Sequence, residues 1–134
     1  MAVRSTLAEA GAAWRSQGAP NPVCAIGQQV LAEVLNNVVE HAMANQPDGA
    51  GQLQTGWSGT QLTCIVRDNG HPMPGLQLPQ GRPATIPADP KDLPEGGFGW
   101  FMIRSLTQDL MYERADGWNK LSFAIAENEQ SHPG

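Results

Sequence analysis

The sequence predicts an α+β protein: a two-layer α/β sandwich with a mixed, mainly antiparallel sheet and helices on one face. Three observations predict it. Two pairs of short β-prone runs are each joined by a two-residue turn signal, Ser58-Gly59 and Asp116-Gly117, and strands joined so tightly must be antiparallel. A helical segment precedes each pair, and the one before the first pair has the strongest apolar period in the chain. A sheet apolar on one face and helices apolar along one stripe bury each other as two layers. The 134 residues fit a single domain over 1–134, with no internal repeat. A chain of this size buries roughly two-thirds of its unfolded surface and needs no staples.

The first helix is expected from about Thr6 to Gln17. Ser5 or Thr6 can cap it, Glu9 sits near its positive end, and Leu7, Ala10 and Trp14 form a modest apolar stripe. The run from Gly18 to Pro22 stops it. The second helix is expected from about Val23 to Ala44. Val30, Leu31, Val34, Leu35, Val38, Val39 and Ala42 form its stripe, with Glu33, Asn36, Asn37 and Glu40 opposite and His41 at the boundary. Pro47-Asp48-Gly49 breaks it. Strands at about Gly51–Trp57 and Thr60–Arg67 follow. In the second, Leu62, Cys64 and Val66 alternate with Thr63, Ile65 and Arg67, so one face should lie under the helices.

Residues 70–99 differ in kind. They hold seven of the 11 prolines and six of the 15 glycines, with no apolar period. Such a stretch in a compact domain is a lid, a binding loop or a disordered segment. A third helix, about Trp100 to Gln108, should turn Phe101, Ile103 and Leu106 partly inward. Strands at about Asp109–Ala115 and Trp118–Ala126 complete the second hairpin, before a polar tail over 127–134. Trp57 and Trp118 are expected on the sheet. Phe98 and Trp100 either close the core or cover a ligand.

Composition narrows the function. Eight Lys and Arg against 13 Asp and Glu leave a net charge of −5. An acidic chain without a basic run argues against direct nucleic-acid or anionic-membrane binding. The mean hydropathy of −0.34 fits a soluble globule, and no apolar run approaches the roughly 20 residues of a membrane span. The N-terminal stretch lacks the apolar centre of a signal peptide. Cys24 and Cys64 form no zinc-ligand spacing with His41, His71 or His132, and read as reduced thiols of a cytoplasmic protein.

Three segments could carry chemistry. Glu33, Asn37 and His41 recur every fourth residue and form a row on one helix flank. A carboxamide oxygen there can ligate Mg²⁺, and a carboxylate one turn away can accept a proton; the plain alternative is a solvated helix face. Asp68-Asn69-Gly70 follows a strand. Its carboxylate can accept a hydrogen bond from an exocyclic amine such as that of adenine, and Gly70 lets a flat ring approach the backbone; the alternative is an ordinary turn. Glu95-Gly96-Gly97-Phe98-Gly99 opens a helix, where free N–H groups attract phosphate; the alternative is a hinge. It matches neither a P-loop nor a dinucleotide fingerprint.

In this order, with the Pro/Gly-rich stretch between the last two, the segments resemble the Bergerat-fold ATPases of the GHKL superfamily, and within it the anti-sigma-factor serine kinases. Glu33 and Asn37 match that family's E-x-x-x-N helix, Asp68 and Gly70 its D-x-G box, and Gly97 and Gly99 its G-x-G box. The resemblance covers about Ser5 to Ile125. It implies a Bergerat ATP-binding fold with a lid at about 70–99, and ATP and Mg²⁺ as cofactors. Glu33 would be the general base and Asn37 the metal ligand; Asp68 and Gly70 would hold adenine, and Gly97 and Gly99 the phosphates. It implies serine/threonine kinase activity towards an anti-anti-sigma factor, a sigma factor as second partner, and a homodimer. The family usually begins with a strand before its first helix, for which only Met1–Arg4 are present here. A Thr late in its final hairpin often helps hold the nucleotide; Asn119 stands near that place. Arg82 and Lys91 of the lid could each reach a γ-phosphate. The alternative function is a protein-binding regulatory module without catalysis and with little or no nucleotide binding.

Overall fold

The computed structural model describes residues 3–80 and 97–127. The elements run α1 (Val3–Ser16), α2 (Asn21–Asn37) with a π-helical turn at Val38–Ala42, β1 (Gly51–Trp57), β2 (Gln61–Asp68), a short 3₁₀ turn at Pro74–Leu76, α3 (Gly97–Leu106), β3 (Gln108–Ala115) and β4 (Trp118–Ala126). The strands form one four-stranded sheet in the order β1-β2-β4-β3. Every neighbouring pair in it is antiparallel.

All helices start earlier than the sequence signals place them. α1 is already helical at Val3, so Ser5 and Thr6 lie inside it rather than at its cap, and Glu9 lies past its first turn. Pro22 does not stop the chain before α2; it occupies the first turn of α2, where a missing N–H costs nothing. α3 takes in Gly97 and Gly99 as helical residues. α1 ends where Gly18 adopts a φ of 95° and the Ala19 N–H returns to the Trp14 carbonyl at 2.9 Å.

The helices pack on one face of the sheet, with α2 touching both α1 and α3. Val30, Leu31, Val34, Leu35 and Val38 are buried as their period requires, whereas Val39, at the edge of the stripe, is 40% exposed. Opposite them lie Leu62, Cys64 and Val66 of β2 and Leu121, Phe123 and Ile125 of β4, also buried. The expected alternation of β2 is therefore present. Trp14 is fully buried, donates its indole N–H to Thr55 Oγ1 at 2.9 Å, and packs so closely over Gly27 that a Cβ there would lie 2.9 Å from its ring. Trp57 and Trp118 are half-buried. The hairpin joining β3 to β4 turns through Asp116 and Gly117, with φ of 53° and 79°, the signature of a type I′ turn.

Candidate functional site

The site is built where the end of α2 meets the ends of β2 and β4. β2 pairs with β4 so that Asp68 stands opposite Asn119. The two are the buried polar side chains of the described core, at 4% and 5% exposure. Asn119 donates through Nδ2 to Asp68 Oδ1 at 2.8 Å, and the Gly70 N–H reaches the same oxygen at 2.9 Å. Both bonds fall on Oδ1. No buried side-chain nitrogen or oxygen among the described residues lacks a hydrogen-bond partner. Oδ2, which takes no bond from them, is thus left to solvent or a ligand.

Beside it opens a cavity of about 550 Å³. Val34, Val38, Val66, Leu121 and Trp100 supply apolar walls, and Asn37, Asp68, Asn119 and Tyr112 bring polar groups to it. His41, His71, Pro72, Met73, Pro74 and Pro79 also line it. A mostly apolar cleft with a few convergent polar groups is the usual form of a small-molecule site.

Asn37 ends α2 immediately before the π-helical turn, whose wider hydrogen bond runs from the Met43 N–H to the Val38 carbonyl at 2.8 Å. Such turns frequently interrupt helices at functional places. The Asn37 Nδ2 donates to the Glu33 carbonyl at 2.8 Å, so its Oδ1 is the atom left for a ligand. Glu33 does not line the cavity wall, but its carboxylate meets α3: a Cβ placed on Gly99 would stand 2.6 Å from Glu33 Oε2. Trp100, next in the chain, is buried in the core, as one of its two expectations has it, and also lines the cavity.

Gly70 is glycine for a reason that the sequence does not disclose. A Cβ there would fall 2.1 Å from the Ala42 carbonyl oxygen, because the loop after β2 crosses the end of the π-helical turn. The His71 N–H closes that crossing with a bond to the same oxygen at 2.7 Å. The close approach at Gly70 that the structure shows is thus to the helix end. Arg114 holds the Gly70 carbonyl from β3 at 2.7 Å.

The structure therefore brings Glu33, Asn37, Asp68, Gly70 and Gly99 into one neighbourhood. Gly97 enters through the backbone of the first turn of α3. Arg82, Lys91, Glu95 and Gly96 lie outside the described residues. Tyr112, which lines the cavity, and Arg114, which bonds Asn119 and the Gly70 carbonyl, are residues that periodicity could not nominate. They belong to an exposed-looking alternating strand, and only the pairing of β3 with β4 turns them towards Asn119. No group of three or more His, Cys, Asp and Glu among the described residues could hold a metal ion by itself. None of the described helices is long and apolar enough to cross a membrane.

The histidine kinase-like ATPase domain family matches residues 2–125. The serine/threonine-protein kinase BtrW of Bordetella bronchiseptica is 31% identical over 93 residues, which cover 67% of this chain and 61% of that protein. The chain thus spans less than two-thirds of this curated relative. The blue-light activated histidine kinase of Erythrobacter litoralis EL346 superposes with a TM-score of 0.56 at 23% identity, over 84% of this chain and 33% of the kinase. A structure of that kinase's histidine kinase domain gives 0.52 at 25% identity, over 80% of this chain and 48% of the other.

Proposed function

We propose that this chain, which belongs to the histidine kinase-like ATPase domain family, binds ATP with Mg²⁺ and phosphorylates a serine or threonine of an anti-anti-sigma partner, alternating that partner with a sigma factor. The observation that carries the reading is the single cavity shared by Asn37 and Asp68, with Gly99 against the Glu33 carboxylate. The likeness to a serine/threonine-protein kinase supports the choice of acceptor.

Each residue has a task that its surroundings fit. Asp68 Oδ2 accepts an N–H of the adenine 6-amino group, while Val38, Val66 and Leu121 offer apolar surface to the ring. Gly97 and Gly99, in the opening turn of α3, leave backbone N–H groups for phosphate oxygens. Asn37 Oδ1 is a hard oxygen freed by the bond its Nδ2 makes. One such oxygen fits Mg²⁺, which takes one or two protein ligands and completes its shell with phosphates and water, and whose charge would offset that of the triphosphate. Glu33 accepts the proton of the attacking hydroxyl. A phosphate then adds about −1.5 to −2 charge to the partner, enough to expel it from an apolar interface.

The test is phosphotransfer to a purified anti-anti-sigma domain in Mg·ATP. Acid-stable phosphoserine or phosphothreonine on that domain, found by mass spectrometry, is the expected product. An acid-labile phosphate on a histidine, or ATP turnover without a phosphorylated partner, would contradict the serine/threonine assignment.

A further inference from the structure

Asn119 makes four hydrogen bonds within the protein. Its Nδ2 donates to Asp68 Oδ1 and to the His71 carbonyl, each at 2.8 Å. Its Oδ1 accepts from the Tyr112 hydroxyl at 2.6 Å and from Arg114 Nη1 at 3.1 Å. A carboxamide has two donor hydrogens and two acceptor lone pairs, so this one is saturated. It has nothing left to offer a nucleotide. The Tyr112 hydroxyl, having donated to Asn119, accepts the N–H of Met73 at 2.9 Å, in the stretch that follows the Asp68 turn.

We infer that Asn119 is a positioning residue for purine selection: clamped by Tyr112 and Arg114, it fixes the rotation of the Asp68 carboxylate so that Oδ2 alone meets the base, and through Tyr112 it ties that carboxylate to the chain entering the rim at Met73. The inference rests on the reading of Asp68 as the acceptor for the 6-amino group. A carboxylate held on one oxygen by two donors from different directions cannot turn about its last torsion without breaking a bond. The two donors come from the loop (Gly70) and from β4 (Asn119). Take away Asn119, and Gly70 alone cannot set the direction of Oδ2. Asn119 itself reaches the base only through Asp68.

The test compares ATP with purine riboside triphosphate, which lacks the 6-amino group, by calorimetric titration in Mg²⁺. The native chain should prefer ATP. Asn119→Ala should reduce that preference by about tenfold, the scale of a hydrogen bond to a charged group, with affinity for the deaminated analogue kept. Tyr112→Phe, which removes one hydroxyl and keeps the ring, should reduce it by about threefold and decides the matter if Asn119→Ala does not fold. A structural role alone would weaken both ligands equally. Equal losses for both ligands, or a preference unchanged in the folded variants, would overturn the inference and leave the Asp68 reading standing. A native chain that binds both ligands alike would overturn that reading itself.

Discussion

At the scale of single residues the sharpest division is between Glu33 and Asn37, one helical turn apart and joined by the bond from Asn37 Nδ2 to the Glu33 carbonyl. Under the proposed chemistry they fail differently. Glu33→Gln keeps shape and removes the proton acceptor, so phosphotransfer should fall by at least about 100-fold with ATP affinity nearly unchanged. Asn37→Ala should weaken Mg·ATP itself, by about tenfold or more, and leave metal-free ATP binding less affected; paired titrations with and without Mg²⁺ check it. Gly99→Ala adds a methyl against Glu33 Oε2. The carboxylate is a flexible end and can yield, so the fold should survive while phosphotransfer drops, measurable as a kcat loss at constant melting temperature. These residues could be nominated from sequence because their spacing carries a helical period and a Gly-rich helix start. Asn119 could be placed near the site but not given its partner. Its bond to Asp68 spans 51 positions and depends on strand register, which no local pattern encodes.

At the scale of elements, the join between the π-helical turn and the loop after β2 governs the site. It rests on the contact of Gly70 with the Ala42 carbonyl, sealed by the His71 N–H. Backbone cannot move aside as a side chain can. Gly70→Ala should therefore cost about 1–3 kcal/mol, read as a lower urea midpoint, and should open the cavity end and weaken ATP along with it. The same join shows why some elements were legible and others were not. The stripe of α2, the alternation of β2 and the Asp116-Gly117 turn follow from periods of 3.6 and 2 and from one dipeptide. The π-helical turn leaves no such mark, because Val38–Ala42 read as more helix. The starts of all three helices differ from the sequence signals for local reasons. Ser5 and Thr6 cap well but also sit within helices, and Pro22 and the glycines of α3 break helices except in a first turn, which is where they are.

At the scale of the whole molecule, the layer of helices over an antiparallel sheet also buries groups that titrate. Cys64, on the inward face of β2, has its thiol pushed up from 9.0 to about 11 by burial, partly offset by its contact with Thr55 Oγ1 at 3.1 Å. The folded form thus holds the proton more tightly than the unfolded chain. Its contribution to stability is complete below pH 9.0 and is lost as the pH rises from there to about 11. A rise from 9.0 to about 11 corresponds to roughly 2–3 kcal/mol. Urea unfolding of the native chain and of Cys64→Ala across that range should show the native chain losing stability faster, by an amount of that order; parallel curves would contradict the burial of the thiol.

The proposed nucleotide pocket joins three stretches far apart in sequence. Backbone amide NMR during titration with Mg·ATP tests it most directly. Saturable shifts should appear together at Asn37 and the turn after it, at Asp68–Gly70, and at Gly97–Gly99, with a common dissociation constant. Shifts confined to one of these stretches, or none at millimolar ligand, would contradict it.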